Sequence, residues 1–454
     1  MGQADDVCLL SDSTHSLNCL LQLAMDYAKE YHIEMVPEKT KLLCYTPRGQ
    51  ELDTYYWKAV SPVSMEGLRI GFSEEAEHVG ILRSTGAGNM PSILSRQAAH
   101  TKAVHAVLPA GLARGHYGNP AAALRVERLF GVPVLLSGLG ALVLSKTELA
   151  SLDLHFKTSL ESFQRLYKAT PAAVVYFLAG SLPASALYHL RQLSLLGMIS
   201  RLGPGNILHQ YGMQVLASPT SYSQSWFLQV KEICQQYSLP DAHSLLSDPP
   251  SRYSFKRSAR QKVIDFWNAK LRECADPTNP AYLPSLSFFR VNFMSLSRPH
   301  PIWTSAGSSP YEVKKATVQA RMLSGRYRTC WLRRHWSGDQ SGNCNIPGCI
   351  NVPGTLQHLA TGECPGLHNS LVRAVALWKS FLSDNPMLFS VVKHFSLGDP
   401  TSFLSFLLDP TTQPLVISLT QIHGTIISEK LCYMTRTWLF YMHKERLKLL
   451  QLWK

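Results

Sequence analysis

Acidic residues are scarce in this chain. Asp and Glu number 31 against 44 Lys and Arg, which leaves a formal net charge of +13. That excess disfavours a cationic partner and favours a polyanion, either nucleic acid or an acidic membrane surface. Long apolar runs are missing as well. Residues 129–145 carry no charge but are short and hold Gly131, Pro133, Gly138 and Gly140; residues 170–190 hold Pro171, Gly180 and Pro183. Neither supplies the roughly 20 continuous apolar residues of a membrane span, so both read as buried helices and no membrane partner is expected. Met1 is followed by polar and acidic residues rather than by a basic and then an apolar stretch, so no secretory signal is read. The 10 cysteines are then expected to be mostly free thiols in a reducing compartment, cytoplasmic or nuclear. Gly86-Ala87-Gly88 lacks a Lys-Thr continuation and is no phosphate cradle. No hydrolase or endonuclease motif, internal repeat or long low-complexity tract is found.

What is present is the composition of a folded protein, 45% hydrophobic and 17% charged over 454 residues. Residues 7–10 read as a buried strand. Ser11, Asp12 and Ser13 can cap a helix whose Leu17, Leu20, Leu21, Ala24, Ala28 and Tyr31 recur at three-and-four spacing. Residues 41–45 read as a strand, and 54–81 as short alternating runs. Helical patterns follow over 91–112, 125–129, 149–166, 185–199, 226–237 and 256–274. A Pro/Ser-rich hinge at 238–254 and a loop-rich stretch at 276–309 interrupt them. Residues 312–336 read as a basic helical stretch, and 371–454 as helical with an apolar interior and a basic end.

Asp5 and Asp6 lead straight into the first apolar run. Paired carboxylates at a strand turn suit Mg²⁺, a hard cation that takes oxygen ligands and bridges phosphates. After them come, in order, the amphipathic helix, Lys39-Thr40-Lys41, the strand 42–45 and His78-Val79-Gly80-Ile81-Leu82. This order resembles the palm of reverse transcriptases encoded by LINE-type (non-LTR) retrotransposons. Their signature is an aromatic-Ala-Asp-Asp turn, then a Lys-Thr motif and a primer-gripping hairpin. The resemblance implies that Asp5 binds Mg²⁺ with Asp6 as its partner. It places Lys39 or Lys41 near the incoming triphosphate and 79–82 in the primer grip. Taken alone, Lys39-Thr40-Lys41 also fits a solvated strand entry. Gln3 stands where the family has an aromatic residue. The family also uses an earlier palm aspartate and a fingers domain. The expectation is therefore a truncated reverse transcriptase that does not polymerise alone. Its partners would be RNA and DNA, with deoxynucleotides as the parent enzyme's small-molecule substrates. The alternatives are a zinc-dependent nucleic-acid-binding derivative and a non-functional transposon remnant.

Cys344, Cys349, His358 and Cys364 form a Cys-x4-Cys-x8-His-x5-Cys pattern. Three thiolates and an imidazole suit a closed tetrahedral Zn²⁺ site that can hold a small loop with little core. Pro347 and Gly348 supply a turn between the first two ligands, and His358 falls in a segment that could be helical. Cys330 and His335 are possible substitutes. The pattern resembles the loose Cys-Cys-His-Cys motif near the C-terminus of many LINE polyproteins, including its closing Cys-Pro at Cys364-Pro365.

Before this cluster lie Lys314, Lys315, Arg321, Arg326, Arg328, Arg333 and Arg334 against a single acid, Glu312, with Tyr327, Trp331 and Trp336 interleaved. Guanidinium forks fit phosphates and aromatic faces stack on exposed bases, so these residues, Trp331 among them, are candidates for single-stranded nucleic-acid contact. Buried core tryptophans in a solvated basic helix are the competing reading. Arg252, Lys256, Arg257, Arg260 and Lys262 form a second basic cluster that also fits an ordinary helix face.

The expected fold is an α+β palm remnant followed by a mostly α-helical thumb and C-terminal region with a small zinc-knuckle-like module. The expected domains are a partial palm at 1–85, a thumb-like region at 86–150 and a helical connecting region at 151–310. The basic stretch with the Cys/His cluster spans 311–370, and a helical C-terminal region spans 371–454.

Overall fold

Ser13 starts the first helix, Thr14–Glu30, by accepting a hydrogen bond from the Ser16 amide. Leu21, Met25 and Ala28 form its buried stripe. In the computed structural model, the structure describes residues 7–45, 53–60, 62–78, 81–85, 88–107, 118–218, 225–283, 286, 296–327, 329, 342–396 and 399–451.

The helix packs on a two-stranded antiparallel hairpin, Ser64–Met65 with Leu68–Arg69. Glu66 and Gly67 between the strands both have positive φ, at 52° and 81°. That backbone matches the right-handed twist of the flanking strands, and Gly67 adopts it without a Cβ penalty. A second hairpin pairs Glu75–His78 with Ile81–Ser84 and leads into the helix Met90–Val107.

Residues 54–60, read among the short alternating runs, instead form the helix Thr54–Val60, and the N-terminal expectations need correction at three further points. Residues 7–10 form no strand, and Val7 and Leu10 are 71% and 80% exposed. Residues 41–45 contribute a single parallel bridge, Leu42 to Phe72. Leu20 and Tyr31, read as part of the apolar face, are exposed. The physical reason is common to all three. Short two-residue strands can cover only a narrow stripe of one helix, and a strand without a ladder partner leaves its backbone groups to water.

The remainder is helical. A capping box at Ser145 and Glu148 starts Lys146–Gln164. Ala172–Ala179 and Ala184–Ile199 follow, bent by 61° at the intervening break. No single described helix is long and apolar enough to cross a membrane, although this bent pair meets the criterion by length and composition. Its residues Val174, Val175, Leu178, Tyr188 and Leu196 are fully buried in the protein core. Ala184–Ile199 packs against Arg252–Ala275 and Trp226–Gln236. The segment read as a hinge, 238–254, carries the helix Ala242–Ser247, whose Ala242, Leu245 and Leu246 are buried. Ile426–Gln451 is the central helix of the C-terminal half; Pro310–Leu323, His368–Ser383, Pro400–Leu408 and Pro414–His423 surround it. One continuous hydrophobic core runs from Ile81 to Met442, and a separate small one holds Leu21, Met25, Leu42, Val63, Met65 and Ile70.

Candidate metal centre

The Cys/His cluster is built on a short hairpin followed by a helix. Asn343 bridges to Pro353 in antiparallel fashion, the Cys344 amide donates to Val352 O at 2.7 Å, and the Gly354 amide donates to Gly342 O at 3.0 Å. Between the arms the chain folds back through Pro347-Gly348. Gly348 takes φ +90°, a conformation that side chains disfavour, and the Cys349 amide closes the turn on Ile346 O at 3.2 Å. Thr355 then caps the helix Leu356–Ala360 by accepting from the His358 amide at 3.2 Å. This helix turns the imidazole back toward the thiols, as the sequence led us to expect. Cys364 opens the 3₁₀ turn Pro365–Leu367.

The four side chains converge. One ligand atom from each of Cys344, Cys349, His358 and Cys364 lies within 4.8 Å of all the others. Cys349 Sγ is 3.4 Å from His358 Nε2 and 3.5 Å from Cys364 Sγ. Metal–thiolate bonds of about 2.3 Å in a tetrahedron place neighbouring donors roughly 3.5–4 Å apart. The set can therefore hold a metal ion such as zinc with little movement. Three soft sulfurs and one imidazole are also the donor chemistry such an ion selects.

Electrostatics points the same way. The hydrogen bond from Cys364, opposed by burial, holds the Cys344 thiol down at about 5. The same hydrogen bond and burial push Cys364 up, and burial raises Cys349. Packed sulfurs share protons because they cannot all ionise side by side; a bound cation removes that conflict. His358 Nδ1 is buried without a hydrogen-bond partner.

The centre is anchored in the main core. Ile346, Leu359, Ala360 and Leu367 are buried, and Trp438 Nε1 donates to Ala360 O at 2.9 Å. Thr355 and Trp438 were missed in the sequence. The signal for Thr355 was present, a threonine three residues before His358; Trp438 is 78 residues away from its partner Ala360 and left no local signal.

The other expected site residues scatter. Asp5 and Asp6 lie outside the described residues, as do Val79, Gly80, Arg328, Cys330, Trp331, Arg333, Arg334 and His335. Lys39 ends the 3₁₀ turn Pro37–Lys39, and both it and Lys41 are exposed. Lys314 is exposed and Arg326 half-buried. Lys315 requires correction as a nucleic-acid contact. It is 4% exposed, donates to Glu312 at 2.7 Å and to Thr437 at 3.3 Å, and sits over the Tyr311 and Tyr433 rings. Glu312 also receives the buried Arg436, so Lys315 completes an internal ion network and cannot face a phosphate. Arg321 is likewise engaged, donating to Arg165 O at 2.8 Å and lying over Tyr167.

Compared with protein-family models, with curated proteins and with solved structures, the chain matches none.

Proposed function

We propose that the chain is a zinc-dependent nucleic-acid-binding protein of LINE-type reverse-transcriptase lineage. One observation carries this reading. Four residues at Cys-x4-Cys-x8-His-x5-Cys spacing converge into a metal-binding set, and the same spacing and closing Cys-Pro are what resemble the LINE motif. Zinc is the ion that best suits three thiolates and an imidazole in a closed site. The net charge of +13 supports a polyanionic partner, RNA or DNA.

The parent activity, RNA-directed DNA synthesis with Mg²⁺ at Asp5 and Asp6 and with Lys39 or Lys41 at the triphosphate, is the second reading. What supports it is the antiparallel pairing of Glu75–His78 with Ile81–Ser84, around the stretch the resemblance assigns to a primer grip.

Anisotropy of a labelled single-stranded RNA tests the first reading. The zinc-loaded full chain should bind, chelation should weaken binding at least tenfold, and added zinc should restore it. Equal affinity with and without metal would overturn the zinc dependence. Primer extension on an RNA template with Mg²⁺, absent in an Asp5→Asn variant, would support the second.

A further inference from the structure

The helix Arg252–Ala275 turns Phe255, Ala259 and Val263 into the core. Its first half carries no acid between 252 and 262. Arg252, Lys256 and Arg260 are spaced by four residues, so they advance about 40° and about 6 Å per step and form a stripe along one flank. All three are exposed, as is Arg257 beside them. Tyr253 lies on the same flank and is 77% exposed. Among the described residues, none of these cations forms an ion pair. Two further arginines come from other elements. Arg128, in the π-helical turn Glu127–Gly131, donates to Gly180 O at 3.1 Å, and Arg260 repels it. Arg201, just beyond Ala184–Ile199, lies beside Gly197, where the Phe255 ring packs. Lys262 falls on the opposite flank.

We infer that this flank, Arg252, Lys256 and Arg260 with Tyr253 and Arg257, is a docking surface for the sugar–phosphate backbone of single-stranded nucleic acid. The inference rests on the nucleic-acid reading above and names its contact surface. Unpaired cations lined along one helix flank, with Arg128 of another element close enough to feel Arg260, are held against their own repulsion, and a polyanion relieves that repulsion. Arginine forks suit phosphate oxygens, and a tyrosine left in water on the same stripe gives a base a face to stack on. A lipid surface fits less well. An interfacial helix needs an apolar face to insert, and here that face is already buried in the protein.

The test uses the full, zinc-loaded chain and a labelled single-stranded RNA across a salt series. The triple variant R252Q/K256Q/R260Q should lower the log–log salt slope by about 2, since each lost phosphate contact removes about 0.7. Tyr253→Ala should weaken binding about tenfold at fixed salt. Metal content and melting temperature should match those of the parent chain, because the side chains are exposed. If the parent chain binds with an unchanged slope in the triple variant, the surface is wrong while the nucleic-acid reading stands. If the parent chain binds no RNA or DNA, that reading fails and takes the inference with it. If anionic phosphatidylserine vesicles bind more tightly than RNA, in a manner lost in the triple variant, the face takes a membrane and the inference is overturned.

Discussion

The N-terminal stretch 7–78 and the knuckle at 342–367 are both too small to hold much apolar core of their own. The first relies on Leu21, Met25, Leu42, Val63, Met65 and Ile70, a cluster separate from the main core. It leaves Leu23, Tyr27, Tyr31 and Ile33 exposed. The second inserts Ile346, Leu359, Ala360 and Leu367 into the main core and gathers three thiols and an imidazole around one point. A short segment becomes well determined when side-chain chemistry at one point and packing on a larger body fix it together. The N-terminal stretch has only a narrow packed stripe.

The comparison breaks most readily at the metal. Cys364→Ser should weaken metal binding sharply in a metal assay and lower the melting temperature. Its effect should be the largest of any substitution considered, several kcal/mol, given that structural zinc in small fingers contributes about 10 kcal/mol or more. Next comes the buried network beside the knuckle's supporting helix. Glu312→Ala strands Lys315 and Arg436, which are 5% and 2% exposed at their side chains, and should cost about 3–5 kcal/mol in urea unfolding.

The main body should also be acid-sensitive. Burial holds His189 down at about 4, and its Nδ1 pairs with the Tyr237 hydroxyl at 2.8 Å. The folded state therefore refuses a proton that the unfolded chain accepts below about 6.5. Stability is full above that pH and falls as pH drops toward 4, by up to about 3 kcal/mol for this group. His189→Gln should flatten the profile of unfolding free energy against pH; an unchanged profile would refute the assignment.

The smallest effect belongs to the N-terminal cluster. Leu21→Ala should shift the main unfolding transition by less than about 0.5 kcal/mol. It should still raise hydrogen exchange over Thr14–Glu30. A large shift of the main transition would show that the two cores unfold as one.

Legibility in the sequence followed the same division. The four-residue Cys/His set was readable because its members sit at local spacings that metal geometry constrains, and the segment around His358 read as a possible helix without its Thr355 cap being noticed. Helices of the body such as Lys146–Gln164 were readable in part, as the helical pattern over 149–166, while the capping box at Ser145 and Glu148 went unread. That residues 7–10 form no strand was not readable, because an apolar run of four does not reveal whether a partner strand exists. The burial of Lys315 was hidden because its partner Thr437 comes from a helix 122 residues away. Its charge therefore suggested an exposed cation where the fold makes an internal one.

X-ray absorption at the zinc edge tests the central claim most directly. The account predicts one zinc per chain with three sulfur neighbours at about 2.3 Å and one nitrogen at about 2.0 Å, with a sulfur lost in Cys349→Ser. A metal-free chain purified from zinc-containing medium with its fold intact, or zinc held by oxygen and nitrogen alone, would contradict it.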